Sequence, residues 1–211
     1  MQDFPKLFAK EMGSETRIGF TSFEKWLSFS PAKNNLEAGA KGISSGVPPA
    51  TASSAEMEFY RSHALKLKAA GAQVQDGEIT TFAAIPLESG PRVILSPSLA
   101  LTTTELRSKL VGSSVKVSGR STLVLDGEHI KVKSLDLDGT LVVKTGPKSR
   151  VTIENASIRN DGWRLAEAAA DAVEEEEIRG FHVVKVNGLV VDLSDKEGDF
   201  LVSGAGEVKK I

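Results

Sequence analysis

Lys33 is the residue best placed for chemistry. It follows Trp-Leu-Ser-Phe-Ser-Pro-Ala at 26–32 and precedes the amide pair Asn34 and Asn35, with no acid after it until Glu37. Pro31 fixes φ and removes a backbone donor, so regular structure should stop there and present Lys33 at a turn. A compact positive charge on a flexible stem suits a phosphate oxygen. An ordinary surface lysine beside a turn would have the same spacing, and one lysine does not separate the two. Lys41, in the stretch 36–53 rich in Gly, Ala, Ser and Pro, is a weaker anion candidate. That stretch lacks a preceding buried strand and the spacing of a phosphate-binding fingerprint, so it reads as a flexible loop. His63, His129 and His182 stand alone, without the carboxylate partner of a triad or metal site, and read as surface or boundary residues. The run Glu174–Glu177 cannot converge on a cation, because consecutive helical residues point in different directions.

The chain has 211 residues, 40% hydrophobic and 26% charged, with a formal charge of −2. That balance is ordinary for a globular protein, and it gives no basic field for nucleic acid or a membrane surface. There is no cysteine, so thiol catalysis and disulfides are excluded. A reducing compartment fits, and a cytoplasmic location is expected. No apolar run reaches the length of a bilayer span. The opening Met-Gln-Asp-Phe-Pro-Lys reads like the middle of a protein, with a turn signal and no element before it.

Two kinds of element must position these residues. In residues 1–112, Phe4, Leu7, Phe8 and Met12 have helical spacing after Pro5, and Arg17–Phe20 resembles a short strand. Phe23, Trp26, Leu27 and Phe29 read as core packing rather than a stacking platform. Ser53–Ala70 is a helix capped by Ser53 or Ser54, carrying Met57, Tyr60, Ala64 and Leu67 on one face. Glu78–Pro86 and Arg92–Ser96 are strands, and Thr102–Leu110 is a helix with a threonine cap. Residues 113–211 change character. Strands at 115–118, 121–126, 130–138, 140–145 and 150–160 alternate apolar and polar residues at a short pitch, which predicts a β-helix or a meander. Trp163–Glu177 reads as an alanine-rich helix packed on it, followed by strands on either side of Asn187-Gly188 and a final short strand with a polar tail.

Several segments together resemble the C-terminal part of the UDP-sugar pyrophosphorylase family. They are Met-Gln-Asp-Phe-Pro-Lys at 1–6, Arg-Ile-Gly-Phe-Thr at 17–21, Trp26–Asn35 and Ser-Ala-Glu-Met-Glu-Phe-Tyr-Arg at 54–61. Arg-Ser-Thr-Leu-Val at 120–124, Leu-Asp-Leu-Asp-Gly-Thr-Leu-Val-Val at 135–143, Asn-Asp-Gly-Trp at 160–163 and Glu-Ile-Arg-Gly-Phe at 177–181 continue the series. The resemblance implies an α/β chain. Residues 1–112 would be the C-terminal remnant of a Rossmann-like nucleotidyltransferase domain, and 113–211 a β-helix-like all-β domain with one packed helix. It also implies a reversible uridylyltransferase reaction, with UTP, sugar 1-phosphate, UDP-sugar and pyrophosphate as ligands, magnesium as cofactor and a monomeric full-length enzyme. Lys33 matches the lysine of the family's Pro-x-Lys segment, which reaches the nucleotide phosphates, with Ala32 in place of the usual valine. Gln2 and Asp3 match a segment following the sugar side of the cleft. The family's glycine-rich nucleotide loop, uridine contacts and metal-binding aspartate have no match in these 211 residues, so the magnesium ligands are expected outside the chain. The alternative reading is a non-catalytic structural or interaction β domain, a remnant of such an enzyme. A relative specific for UDP-glucose or UDP-N-acetylhexosamine fits less well, because of the opening segment.

Overall fold

Phe4–Met12 (α1) begins the computed structural model, which describes residues 3–169 and 171–211, the side chains of 111–113 excepted. Three helices follow: Lys25–Ser28 (α2), Leu36–Ser44 (α3) and Ala52–Ala69 (α4). Next come β1 (Gln73–Val74), β2 (Ile79–Phe82), β3 (Ile85–Glu88), β4 (Arg92–Leu95) and α5 (Thr103–Lys109). The strand-rich part consists of β5 (Leu110–Val117), β6 (Thr122–Asp126), β7 (Ile130–Asp138), β8 (Thr140–Thr145), β9 (Ser149–Arg159) and β10 (Trp163–Glu167). Then follow α6 (Glu174–Arg179), β11 (Phe181–Lys185), β12 (Leu189–Leu193), β13 (Gly198–Gly204) and β14 (Glu207–Lys210). The protein is thus mixed α/β with several sheets. Among the described residues no helix is long and apolar enough to cross a membrane.

Two parallel sheets dominate. The first runs β1-β5-β7-β9-β13 and ends on β14, which is antiparallel to β13. The second runs β12-β8-β6-β4, all parallel. From β5 to β9 the chain visits the two sheets alternately, so β6, β7, β8 and β9 each pair with the second strand before them, not with a neighbour in sequence. A meander would have paired sequential strands antiparallel. The alternating residues point inward from both sheets into one core: Ile130, Val132, Leu135 and Leu137 from β7 meet Leu123, Leu125, Leu141 and Val143 from the facing sheet. Strands β7 and β9 bend in step, since Asn155 takes φ +52° and its N–H donates to Ser134 Oγ at 2.6 Å. At the corners backbones nearly touch: a Cβ on Gly77 would strike the Gly90 carbonyl, and one on Gly119 the Asp76 carbonyl. Only glycine fits such an approach.

The expected boundary between 112 and 113 falls inside β5, and β1 and β4, which precede it, pair with β5 and β6. Parallel pairing draws Gln73–Val74 and Arg92–Leu95 into the repeating part, because their inward residues Val74 and Val93 complete its core.

A second, smaller core joins what the first leaves out. Met57 from α4, Phe82, Ile85 and Leu87 from the β2–β3 hairpin and Phe181 from β11 are buried together, with Leu36, Ala40 and Ile43 of α3 packed against them. This corrects the expected loop at 36–53. Leu36, Ala40 and Ile43 lie at helical spacing, Asn35 caps the start, and the small residues let the helix sit close: Gly39 is buried against Thr51. The expected helix 163–177 is also corrected. Trp163–Glu167 is a strand, antiparallel to Phe181–Lys185, and the helix is confined to Glu174–Arg179. Helix propensity yields here to cross-strand pairing. The acid run therefore opens α6, at the positive end of its dipole, with Arg179 in the last turn. Arg17–Phe20 is not a strand, and Phe23, Trp26, Leu27 and Phe29 are exposed rather than in the core.

Candidate functional site

The turn that carries Lys33 is held by its backbone. Ser30 Oγ donates to the Glu58 carboxylate of α4 at 2.7 Å, which docks the end of the preceding stretch on that helix. The N–H groups of Lys33 and Asn34 both donate to the Ala50 carbonyl, at 2.7 and 3.0 Å, and the Asn34 amide donates to the Pro49 carbonyl at 2.9 Å. Asn35 Oδ1 then accepts the Ala38 N–H at 2.9 Å and caps α3. Ala50 is followed by Thr51, whose hydroxyl caps α4 in a reciprocal box with Ser54. Lys33 is therefore fixed in the chain where two helices begin, and both present the positive ends of their dipoles. Its own side chain is exposed, with Nζ 6.0 Å from the Phe29 ring centroid, at the outer reach of a cation–π contact. Among the described residues no carboxylate forms an ion pair with it. The amides that fix the turn, Asn34 and Asn35, were legible only as turn residues, and their partners at 49–50 lie too far along the chain to be read.

On its other side the turn faces α6. Asn34, Asn35, Leu36 and Glu37 line a cavity of about 350 Å³ with Glu177 and Ile178. Arg179, at the end of α6, donates to both Glu56 oxygens at 3.3 and 3.4 Å and lies 5.3 Å from the Phe181 ring centroid. Tyr60 donates to Glu56 at 2.7 Å, and burial, then this carboxylate, pushes its phenol far above the ordinary range, so it stays protonated. This network ties α6 to the first turns of α4. Arg92 is 5% exposed and binds Thr122 Oγ1 at 3.0 Å and the carbonyls of Ser89 and Trp163. Burial lowers its guanidinium pKa. It acts as a clamp between β4, β6 and β10 and was not foreseen, because its partners are one hydroxyl 30 residues away and two backbone carbonyls.

The remaining predicted residues lie elsewhere. Gln2 is outside the described residues. Asp3 precedes α1, is 92% exposed and pairs with Lys6 at 3.7 Å, so the structure does not join it to Lys33. Lys41 sits in the last turn of α3, where a cation is favoured by the dipole. His63 is buried rather than at the surface: its Nδ1 accepts the Leu95 N–H at 3.1 Å and its ring lies 4.3 Å from that of Phe59. His129 stands 4.0 Å from Glu128, and His182 Nδ1 lies 2.9 Å from the Glu167 carbonyl oxygen. Among the described residues no group of three His, Asp or Glu side chains could hold a metal ion. An exposed cation on a pinned turn beside two helix starts can hold and neutralise an anionic oxygen. It supplies neither a nucleophile nor a base.

No protein-family model matches the chain. It is 38% identical over 192 residues to proteins named UDP-sugar pyrophosphorylase from Oryza sativa subsp. indica and subsp. japonica, a match covering 90% of this chain and 30% of theirs. A protein of the same name from Arabidopsis thaliana is 33% identical over 205 residues, 96% of this chain and 32% of its own. The chain thus spans about a third of the length of the curated relatives it matches.

Proposed function

From its homology to the UDP-sugar pyrophosphorylases, we propose that this chain is the C-terminal part of a UTP:sugar-1-phosphate uridylyltransferase in which Lys33 holds the nucleotide phosphates. The observation that carries the reading is the pinned turn: an exposed cation whose backbone is fixed by the Ala50 carbonyl at the start of two helices. In the reaction an oxygen of the sugar phosphate attacks the α-phosphorus of UTP, the α–β bond breaks and pyrophosphate leaves. Charge spreads over phosphoryl oxygens, and a pre-positioned ammonium lowers the barrier by neutralising it without reorganisation. Asp3 and Gln2 would belong to the sugar side of the cleft. Magnesium would aid the same neutralisation, and no residue of this chain is assigned to it.

Residues 3–69 and the β2–β3 hairpin we read as what this chain holds of the nucleotidyltransferase domain. The alternation of parallel strands between two sheets with one core supports a β-helix for the rest, beginning at β1 rather than at 113. Alone the chain is expected to bind UTP poorly and turn over nothing. A chimera in which it replaces the matching 192-residue segment of the rice protein should form UDP-sugar from UTP and sugar 1-phosphate. Pyrophosphorolysis of UDP-glucose by the purified chain alone, or a folded chimera without activity, would refute the reading.

A further inference from the structure

On the outward face of the first sheet, cations tend to stand across from acids on the neighbouring strand. Lys133 of β7 meets Glu154 of β9 at 3.0 Å, and Arg159 of β9 meets Asp136 of β7 at 2.8 Å. Arg150 of β9 meets Asp199 of β13 at 3.6 Å. At one level this pattern breaks. Lys131 pairs in register with Thr152, Thr152 with Leu201 and Leu201 with Lys209, so no acid stands opposite any of them. The pairing of Leu110 with Val132 brings Lys109 alongside Lys131. Among the described residues no carboxylate forms an ion pair with Lys109, Lys131 or Lys209.

This level borders a cavity of about 440 Å³, a volume that suits a small molecule. Lys109, Lys131 and Thr152 line it from one level, His129 and Arg150 from the next outward level, and Phe200 adds an apolar wall. Lys109 is half-buried, and its Nζ donates to the Glu128 carbonyl, a neutral acceptor that fixes the ammonium without cancelling its charge. Asp199 takes up the charge of Arg150, whereas the Glu128 carboxylate is 72% exposed and stands 4.0 Å from His129, outside the lining. A local positive field therefore survives in a chain whose formal charge is −2. Neighbouring strands lie about 4.8 Å apart, and alternate residues along a strand about 6.6 Å. Flexible cationic stems rising from points so spaced converge on two linked phosphate groups better than on one.

We propose that this cavity, walled by Lys109, Lys131 and Arg150 on the outward face of the first sheet, is a binding site for a small polyphosphate, of which pyrophosphate is the simplest. The site is separate from the uridylyltransferase reading and does not depend on it: none of its residues belongs to the Lys33 turn or to the cavity beside that turn. The cations supply the charge, Thr152 and His129 can donate hydrogen bonds to phosphate oxygens, and the Phe200 side leaves an apolar wall for an organic group.

The test is calorimetric titration of the purified chain with pyrophosphate at low ionic strength, since salt screens contacts between exposed charges. Saturable binding is expected, with a dissociation constant at or below about 1 mM. Lys109→Gln/Lys131→Gln should weaken it at least tenfold. The unfolding temperature should not change, because glutamine can keep the Glu128 contact and Lys131 is exposed. Lys10→Gln/Lys25→Gln, the same change of charge at exposed positions outside the cavity, should leave the affinity within twofold. Lys33→Ala should leave this binding in place. The proposal fails if no saturation is reached by about 10 mM, if the first double variant binds as tightly as the parent, or if the charge-matched control loses as much. It fails too if inorganic phosphate binds as tightly as pyrophosphate, or if duplex DNA binds more tightly and is lost in the same double variant. Binding that disappears with Lys33→Ala alone would place pyrophosphate at Lys33, support the uridylyltransferase reading and overturn the second site.

Discussion

His63 lies within α4 with its ring against Phe59 and its Nδ1 accepting the Leu95 N–H. Burial, and then Lys66, lower its pKa, against a smaller opposing pull from the Val93 backbone. Because the folded state holds the ring neutral while the unfolded chain titrates near 6.5, the unfolded state binds more protons below that pH. The contribution is fully present above about pH 6.5 and is lost as pH falls through the lowered folded value. Thermal unfolding followed between pH 7.5 and 5 should show this decline, and His63→Gln, whose amide oxygen can accept the same N–H, should flatten it. Equal slopes for parent and variant would contradict the assignment. The carboxylates of Asp76, Asp138 and Asp192 are held below their usual range by Lys68, by Arg120 and by Ser194 respectively, so their contribution disappears only at more acid pH. At this scale the sequence was a partial guide. Lys33 stood out because Pro31 and the absence of acids isolate it, and the structure keeps it exposed. The burial of His63 was not readable, since its partner is a backbone amide 32 residues away on β4.

Helix α3 begins at Leu36, just after Lys33, and α4 just after Ala50, whose carbonyl accepts the Lys33 N–H, so their caps set how firmly the lysine is held. Asn35→Ala removes the acceptor for the Ala38 N–H and should cost about 1 kcal/mol of stability. Hydrogen exchange should speed up first at Ala38 and Gly39, while amides of β7 and β8 stay protected. Uniform acceleration across the chain would show that the cap serves the whole fold rather than the turn. Strands 130–138 and 140–145 were legible to the residue, because each alternation places Leu or Val in the common core. Trp163–Glu167 was not, because the alanine-rich sequence it leads into favours a helix locally and only pairing with Phe181–Lys185 makes it a strand. The nine residues 36–44 failed as a reading for the opposite reason. Their glycine content suggests a loop, whereas the apolar side chains at 36, 40 and 43 find a core that lies far along the chain.

The molecule as a whole has two cores with different duties. The larger one, between the parallel sheets, carries stability: Leu137 is 1% exposed, and Leu137→Ala should cost about 2–5 kcal/mol. Chemical denaturation should show one cooperative transition shifted to lower denaturant. A shift of under about 0.5 kcal/mol would mean the sheets tolerate the cavity, against the packing described. The smaller core, centred on Phe82 and Phe181, joins α3 and α4 to the β2–β3 hairpin and to β10 and β11, and so holds the Lys33 turn beside α6. The aromatic residues before Pro31 read as core from sequence because their composition is that of a core. Composition does not distinguish an aromatic set that the fold buries from one that it leaves exposed.

The central claim is that Lys33 neutralises charge on a transferring nucleotide phosphate. It is tested most directly by the single-turnover rate of UDP-sugar formation in the rice chimera carrying this chain, with Lys33 intact and as Lys33→Ala. Losing a charge that acts mainly in the transition state should slow the step about a hundredfold, roughly 3 kcal/mol. The unfolding temperature should not change, because the side chain is exposed. Equal rates for the two proteins would show that Lys33 is a surface lysine and contradict the account.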